Sequence, residues 1–142
     1  MAIRITRVEV WTGEIPDRPG AAAATLEAMN RAGADLKYVF SRPDPTKPDT
    51  GVIFLAPVSG PRQEEAARAA GLAPTRDSAM LCIEGDDRPG LGSQIMSWLA
   101  VAGINLRGLS VSALGDRFAA YLAFESPDTA ALALQVLATL EG

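Results

Sequence analysis

Apolar positions alternate in short runs and recur at helical spacing in longer ones, and the alternation predicts the order β-α-β-β-α twice over. From Ile3 to Glu14, Val8, Val10 and Trp11 sit among Thr, Arg and Glu, a strand composition. Ala21 to Arg31 is alanine-rich and predicts a helix, with Ala32-Gly33 ending it. Leu36 to Ser41 predicts a second strand. Pro43, Pro45, Pro48 and Gly51 then mark a long hairpin loop. Val52 to Ala56 is apolar throughout and reads as a central strand. Pro61 to Ala70 reads as a second helix, with Ser59 or Gly60 as cap, Pro61 in the first turn and Gly71 at its close.

The second half repeats this order with clearer signals. Ala79 to Glu84 is a strand pattern. Leu91, Ile95, Trp98, Leu99 and Ala102 form one apolar helix stripe, closed by Gly103. Leu106 to Ala113 is a strand whose alternation slips near Gly108, where a bulge is expected. Gly115-Asp116 makes a short hairpin into Phe118 to Phe124. Ser126-Pro127-Asp128 supplies a cap, a first-turn proline and an acid suited to the helix dipole. Ala133, Val136, Leu137 and Leu140 form that last helix's apolar face.

The halves share residues as well as pattern. Asp17-Arg18-Pro19-Gly20 recurs as Asp87-Arg88-Pro89-Gly90, 70 positions later. At the same offset Ala32-Gly33-Ala34-Asp35-Leu36 faces Ala102-Gly103-Ile104-Asn105-Leu106. Two motifs in one register imply two copies of one unit, with domains expected at residues 1–72 and 73–142. The expected fold class is α+β: two split β-α-β units, each an antiparallel sheet with helices on one face. Units of this size bury thin cores, so the copies are expected to pack together and the chain to dimerise. The stretch Thr75 to Glu84 has room for the last strand of the first copy and the first strand of the second. The second copy ends on a helix and lacks a fourth strand. Its open sheet edge needs cover, and pairing with another copy is the expected one.

Composition narrows the function. The chain has 142 residues, 48% hydrophobic and 21% charged, with net charge −4. Its 13 cations, all but two of them arginine, are scattered, which argues against a nucleic-acid partner. No apolar run approaches the roughly 18 residues of a membrane span. The start of the chain shows no secretory pattern, and the single Cys82 offers no internal disulfide, so cytoplasm is the expectation. Cys82 itself reads as a buried strand thiol. There is no histidine, and no paired-carboxylate motif, cysteine cluster or G-x-S-x-G elbow. An enzyme is therefore not expected, nor a metal or cofactor.

With strand, Asp-Arg-Pro-Gly, amphipathic helix, Ala-Gly-Ile-Asn and strand in order, and Ser126-Pro127-Asp128 opening the last helix, the second copy resembles an ACT domain. The first copy repeats the plan, so the chain resembles a free-standing protein of two ACT domains. The resemblance implies ferredoxin-like units that pair through strands or helices. It also implies a regulatory role, binding amino acids or similar small ligands at domain interfaces and acting on a partner enzyme or regulator.

Local chemistry gives the turn a means of binding. Free N–H groups at a helix start suit a carboxylate. Gly90 and Gly92 let a ligand approach the backbone. Arg88 can add charge, and Asp86 or Asp87 can hold an ammonium. By resemblance Asp87, Arg88, Gly90, Leu91, Ile104 and Asn105 are the candidate ligand residues, with Asn105 supplied by a neighbouring domain. Their first-copy counterparts are Asp17, Arg18, Gly20 and Asp35. There, Ala21, Ala22 and Ala34 replace Leu91, Gly92 and Ile104. Asp35 adds a charge that repels a carboxylate, so the first copy binds a different ligand or serves as a structural mate.

Each residue also has a structural reading. Asp87 is a helix cap, Pro89 and Gly90 make the turn, Arg88 is solvated, Leu91 is core, and Asn105 bonds its own turn. Trp98 reads as core from its place on the stripe. The loop from Pro43 to Gly51 is a solvated connection or a docking segment. A non-ligand assembly module that docks on a partner is the second functional reading. An RNA-binding sheet with Tyr38 and Phe40 exposed is the third, disfavoured by charge.

Overall fold

A computed structural model describes residues 3–75 and 79–140. Among these, the strands are β1 (Ile3–Val8), β2 (Trp11–Pro16), β3 (Tyr38–Pro43), β4 (Thr50–Ala56), β5 (Ala73–Pro74), β6 (Ala79–Asp86), β7 (Gly108–Leu114) and β8 (Arg117–Phe124). The helices are α1 (Ala21–Arg31), α2 (Gly60–Ala69), α3 (Leu91–Val101) and α4 (Pro127–Leu137), with a 3-10 turn over Ala138–Leu140. The expected single strand from Ile3 to Glu14 is two strands, broken at Glu9-Val10.

That break reassigns the first strand. The chain forms two compact units: Glu9–Thr75, the first unit, and Met1–Val8 with Arg76–Gly142, the second. The first unit has sheet order β3-β4-β2-β5 and the second β1-β6-β8-β7, every pair antiparallel. Each is a ferredoxin-like sheet. In the second, β1 stands where β5 stands in the first. The boundary drawn at 72/73 therefore misplaces residues 1–8. The missing fourth strand comes from the start of the chain, with Ile3 opposite Gly85 and Val8 opposite Met80. Alternation explains the fit: Ile3 and Ile5 enter the second core while Arg4 stays outside, near Glu84 at 3.8 Å.

The cores lie between one sheet face and the helices. In the second unit Leu81, Ile83, Phe118, Leu122 and Phe124 of the sheet meet Leu91, Ile95 and Leu99 of α3 and Ala130, Ala133 and Leu137 of α4. The first core is thinner, with Trp11, Ile53 and Leu55 against Met29, Ala67 and Leu72. Trp11 is fully buried. Trp98, expected as core, is 38% exposed: the stripe is narrower than it reads, and Leu91, Ile95 and Leu99 alone fill the space over the sheet. Ala102 is exposed for the same reason. Val136 packs at the core's edge; the Leu140 side chain lies outside the described residues. β4 is an inner strand as expected. β7 pairs with β8 residue for residue from Gly108 to Leu114, so no bulge forms at Gly108; the strand simply begins there. The Gly115-Asp116 hairpin follows, since Leu114 and Arg117 pair directly.

Ser126 caps α4 as its sequence predicts, its Oγ accepting from the Thr129 N–H at 3.1 Å. Replacing it with Ala should lower stability by about 1 kcal/mol in urea denaturation. An unchanged midpoint would show that the cap contributes nothing.

Candidate functional site

The two Asp-Arg-Pro-Gly turns fold alike. Gly20 and Gly90 precede α1 and α3 with φ of 88° and 84°, a left-handed conformation that explains glycine there. The Asp17 N–H donates to the Asp49 carbonyl at 3.0 Å, and the Asp87 N–H to the Asp116 carbonyl at 2.8 Å. Each turn is thus pinned to the tip of its own hairpin. Ala21 N–H bonds the Arg18 carbonyl, and Leu91 N–H the Arg88 carbonyl, both at 3.3 Å. Neither helix has a side-chain cap. The structural reading of Asp87 as a cap therefore fails, because the left-handed glycine occupies the cap position.

The side chains differ. Arg18 is exposed. Arg88 is half-buried and donates from Nη2 to the Gln94 Oε1 one turn along α3, while its Nε is buried without a partner. Leu91 and Ile104 point into the second core, at 1% and 8% exposure. Gly92 is half-buried, and a Cβ there would meet nothing within 4 Å. Asp87 and Asn105 are exposed. Asp35 is exposed and paired with Lys37 at 2.8 Å. Asp86 pairs with Arg117 at 2.9 Å, which leaves it less free for a ligand ammonium.

Within a unit the candidates do not converge. The turn and the Asp35 or Asn105 position lie at opposite ends of an 11-residue helix, about 16 Å apart. The turns bring together Asp17, Arg18 and Gly20, and separately Asp87, Arg88, Gly90, Leu91 and Gly92. Neither Asn105 nor Asp35 reaches the turn of its own unit.

One turn borders an open hollow. It measures about 340 Å³ and is lined by Glu14, Ile15 and Pro16 of β2, the turn residues Arg18, Pro19 and Gly20, Ala21, Ala24 and Thr25 of α1, and Ala70. Ala70 comes this close because Gly13 lets the end of α2 approach β2; a Cβ at Gly13 would lie 2.5 Å from the Gly71 oxygen. At the rim Lys47 Nζ donates to Glu14 Oε1 at 2.7 Å, which raises the lysine pKa. In the same loop Thr46 donates to Asp44 from its N–H and its hydroxyl, holding that carboxyl below its ordinary value. The loop from Pro43 to Gly51 is thus tied down by its own polar groups.

No protein-family model and no curated protein matches the sequence. Solved structures match the fold. A protein from Bacteroides thetaiotaomicron superposes with TM-score 0.77 at 12% identity, over 96% of this chain and 90% of that one. The regulatory subunit of aspartate kinase from Thermus thermophilus does so with TM-score 0.65 at 16% identity, over 98% and 96%. What these structures share with this chain is the fold, two ferredoxin-like units in tandem. The aspartate kinase of Clostridium acetobutylicum matches with TM-score 0.60 at 11% identity, over 99% of this chain but 34% of that one.

Beside the two turns, Ala24 stands where the second unit has Gln94, and Thr25 where it has Ile95. The sequence reading of the site included none of them. Laying the copies side by side at the 70-residue offset exposes both pairs, so the signal was present in the repeat itself. Cys82, on β6 of the second unit, is half-buried rather than buried. Burial raises its thiol pKa, with a hydrogen bond from Tyr121 opposing that shift. Less thiolate is present at pH 8 than in an unfolded chain, so alkylation by iodoacetamide should be slower in the native protein. Equal rates with and without denaturant would contradict this.

Proposed function

We propose that this protein is a non-catalytic regulatory pair of ACT domains that binds an amino acid or a similar small zwitterion and passes the signal to a separate enzyme or regulator. The observation that carries the reading is the duplicated turn: a strand end, Asp-Arg-Pro-Gly, a left-handed glycine and a helix start that offers free N–H groups. The arginine of each turn, Arg18 or Arg88, supplies charge for a carboxylate. Asp35 or Asn105 of a neighbouring domain completes the interface site. The regulatory subunit of aspartate kinase shares the fold, which supports a role in control rather than chemistry. No helix among the described residues is long and apolar enough to cross a membrane; with its lone cysteine, we place the protein in the cytoplasm.

The assembly reading also has support. The edge strands β3 and β7 are exposed along nearly their whole length, with Val39, Phe40, Leu109 and Val111 each 44–51% exposed. Open edges of this kind pair with other chains, and we take a homodimer as the arrangement that brings one domain's Asp35 or Asn105 to another's turn.

Melting the purified protein with each of the twenty amino acids tests the reading. A ligand at about 100 times its Kd adds about 2.7 kcal/mol, which at this size shifts the midpoint by roughly 5–10 °C. One or a few amino acids should do so. No shift from any would reject sensing of amino acids and leave the assembly module.

A further inference from the structure

The helix layers of the two units differ in chemistry. Helices α1 and α2 carry Glu27, Arg31, Arg62, Glu64, Glu65 and Arg68, whereas α3 and α4 carry only Asp128. A helix face that meets water is ordinarily polar and charged. The second unit instead exposes Trp98 at 38%, Val101 at 91% and Leu132 at 48%. Trp98 and Val101 share one face of α3 by their spacing. An exposed apolar patch of this kind marks a surface that a partner covers.

The first unit carries a matching shape. At the 70-residue offset Trp98 stands where α1 has Ala28, and Val101 where it has Arg31. Counted from the first-turn prolines Pro61 and Pro127, Leu132 stands where α2 has Ala66, and the fully buried Ala67 and Ala133 coincide. Ala28, Arg31 and Ala66 line one hollow of about 480 Å³ between α1 and α2, together with Arg62, Glu65 and further alanines. Trp98, Val101 and Leu132 therefore form a ridge over the corresponding groove of the second unit. In the first unit Arg62 spans the two helices, its Nη2 donating to the Arg31 carbonyl at 2.8 Å. Arg31 and Arg62 take part in none of the ion pairs among the described residues.

We propose that the ridge docks in the hollow of a second copy of this chain, with Trp98 and Leu132 of one protomer filling the space over Ala28 and Ala66 of its partner. Shape and charge both select this occupant. The hollow lacks bulk at the positions where the ridge has it. Arg31 and Arg62 outnumber Glu65 around the hollow, and Asp128 is exposed at the start of α4. Two like ridges would instead set bulk against bulk. Each chain carries one ridge and one hollow, so a two-fold axis makes the contact twice and closes the assembly. Tryptophan seated in a pocket is a frequent anchor of such interfaces. The contact uses neither open strand edge, β3 nor β7, and does not depend on ligand sensing. Where the edges also pair, it joins dimers into tetramers. Its effect follows concentration, so it adds little to the stability of the dilute chain.

Sedimentation velocity of the full chain over a wide range of concentration tests this. The native protein should associate, and Trp98→Glu should weaken that association about 30-fold or more. Ala28→Trp combined with Ala66→Leu copies the second unit's own filling into the hollow. It should weaken association as much, with an unchanged circular dichroism spectrum. Arg62→Glu, at an exposed position, serves if the filled variant folds poorly, and should weaken association about 10-fold. An equal mixture of Trp98→Glu and the filled variant should associate again, through the one ridge and one hollow left intact. Association unchanged by Trp98→Glu, or a native chain that is monomeric throughout, would overturn the proposal. Loss in Trp98→Glu with full association of the filled variant would overturn the hollow as the seat and leave pairing of like ridges.

Discussion

A chain that begins at residue 9 should fail to fold its second unit while keeping its first. β1 covers β6 from Gly85, opposite Ile3, to Met80, opposite Val8. Its removal takes Ile3 and Ile5 out of the second core. Each buried isoleucine contributes about 1.5–3 kcal/mol, so the apolar loss alone is roughly 3–6 kcal/mol. It also turns β6 from an inner strand into an edge, with a row of unpaired N–H and C=O groups. Against a typical domain stability of about 5–15 kcal/mol, that combination is decisive. Hydrogen exchange reads it directly. Amides of residues 81–85 should lose protection, while those of residues 52–55 keep theirs. Ile5→Asp should produce a weaker form of the same pattern. Retained protection at 81–85 in the shortened chain would show that the second domain stands without β1.

Trp11→Ala should cost about 3–5 kcal/mol and unfold the first domain selectively. The first core has few large side chains, and Trp11 is the largest of those fully buried. The indole N–H also donates to Glu9 at 3.2 Å, and the Arg68 guanidinium lies 5.1 Å from the ring centroid. These contacts go with the ring. Trp98→Ala serves as the contrast. Its ring is 38% exposed, and the loss should stay below about 1 kcal/mol. Urea unfolding followed by circular dichroism separates the two. A similar midpoint for both variants would mean that the first core tolerates the cavity.

The contrast between the tryptophans shows where sequence reading stops. Trp11 sits among polar residues of a strand pattern, and only Trp98 lies on a clean helical stripe. Periodicity identifies a helix face but not its width, because the width is set by how much sheet lies beneath. Leu91, Ile95 and Leu99 suffice to cover it, so the next position on the stripe is left outside. Leu91 and Ile104, candidates by resemblance, enter the core for the same geometric reason. Gln94 and Thr25 were visible in the repeat but carry no meaning until the side chains around each arginine are placed.

The sequence alone determined the local elements and their duplication. Alanine-rich and striped helices, glycine at both ends of α1 and α3, the Ser126 cap and the 70-residue offset all depend on contacts within a few residues of each other, where spacing and residue type suffice. It also determined the class of fold, since the β-α-β-β-α order leaves few ways to bury two apolar faces. Only the tertiary structure decided that residues 3–8 complete the distant domain, because β1 and β5 are both short strands able to fill an edge, and the choice rests on long-range register and on where Ile3 and Ile5 find a core. Only it decided that a hollow opens beside the first turn, because a hollow is the space left after side chains from β2, α1 and the end of α2 have packed, and no single segment encodes that space.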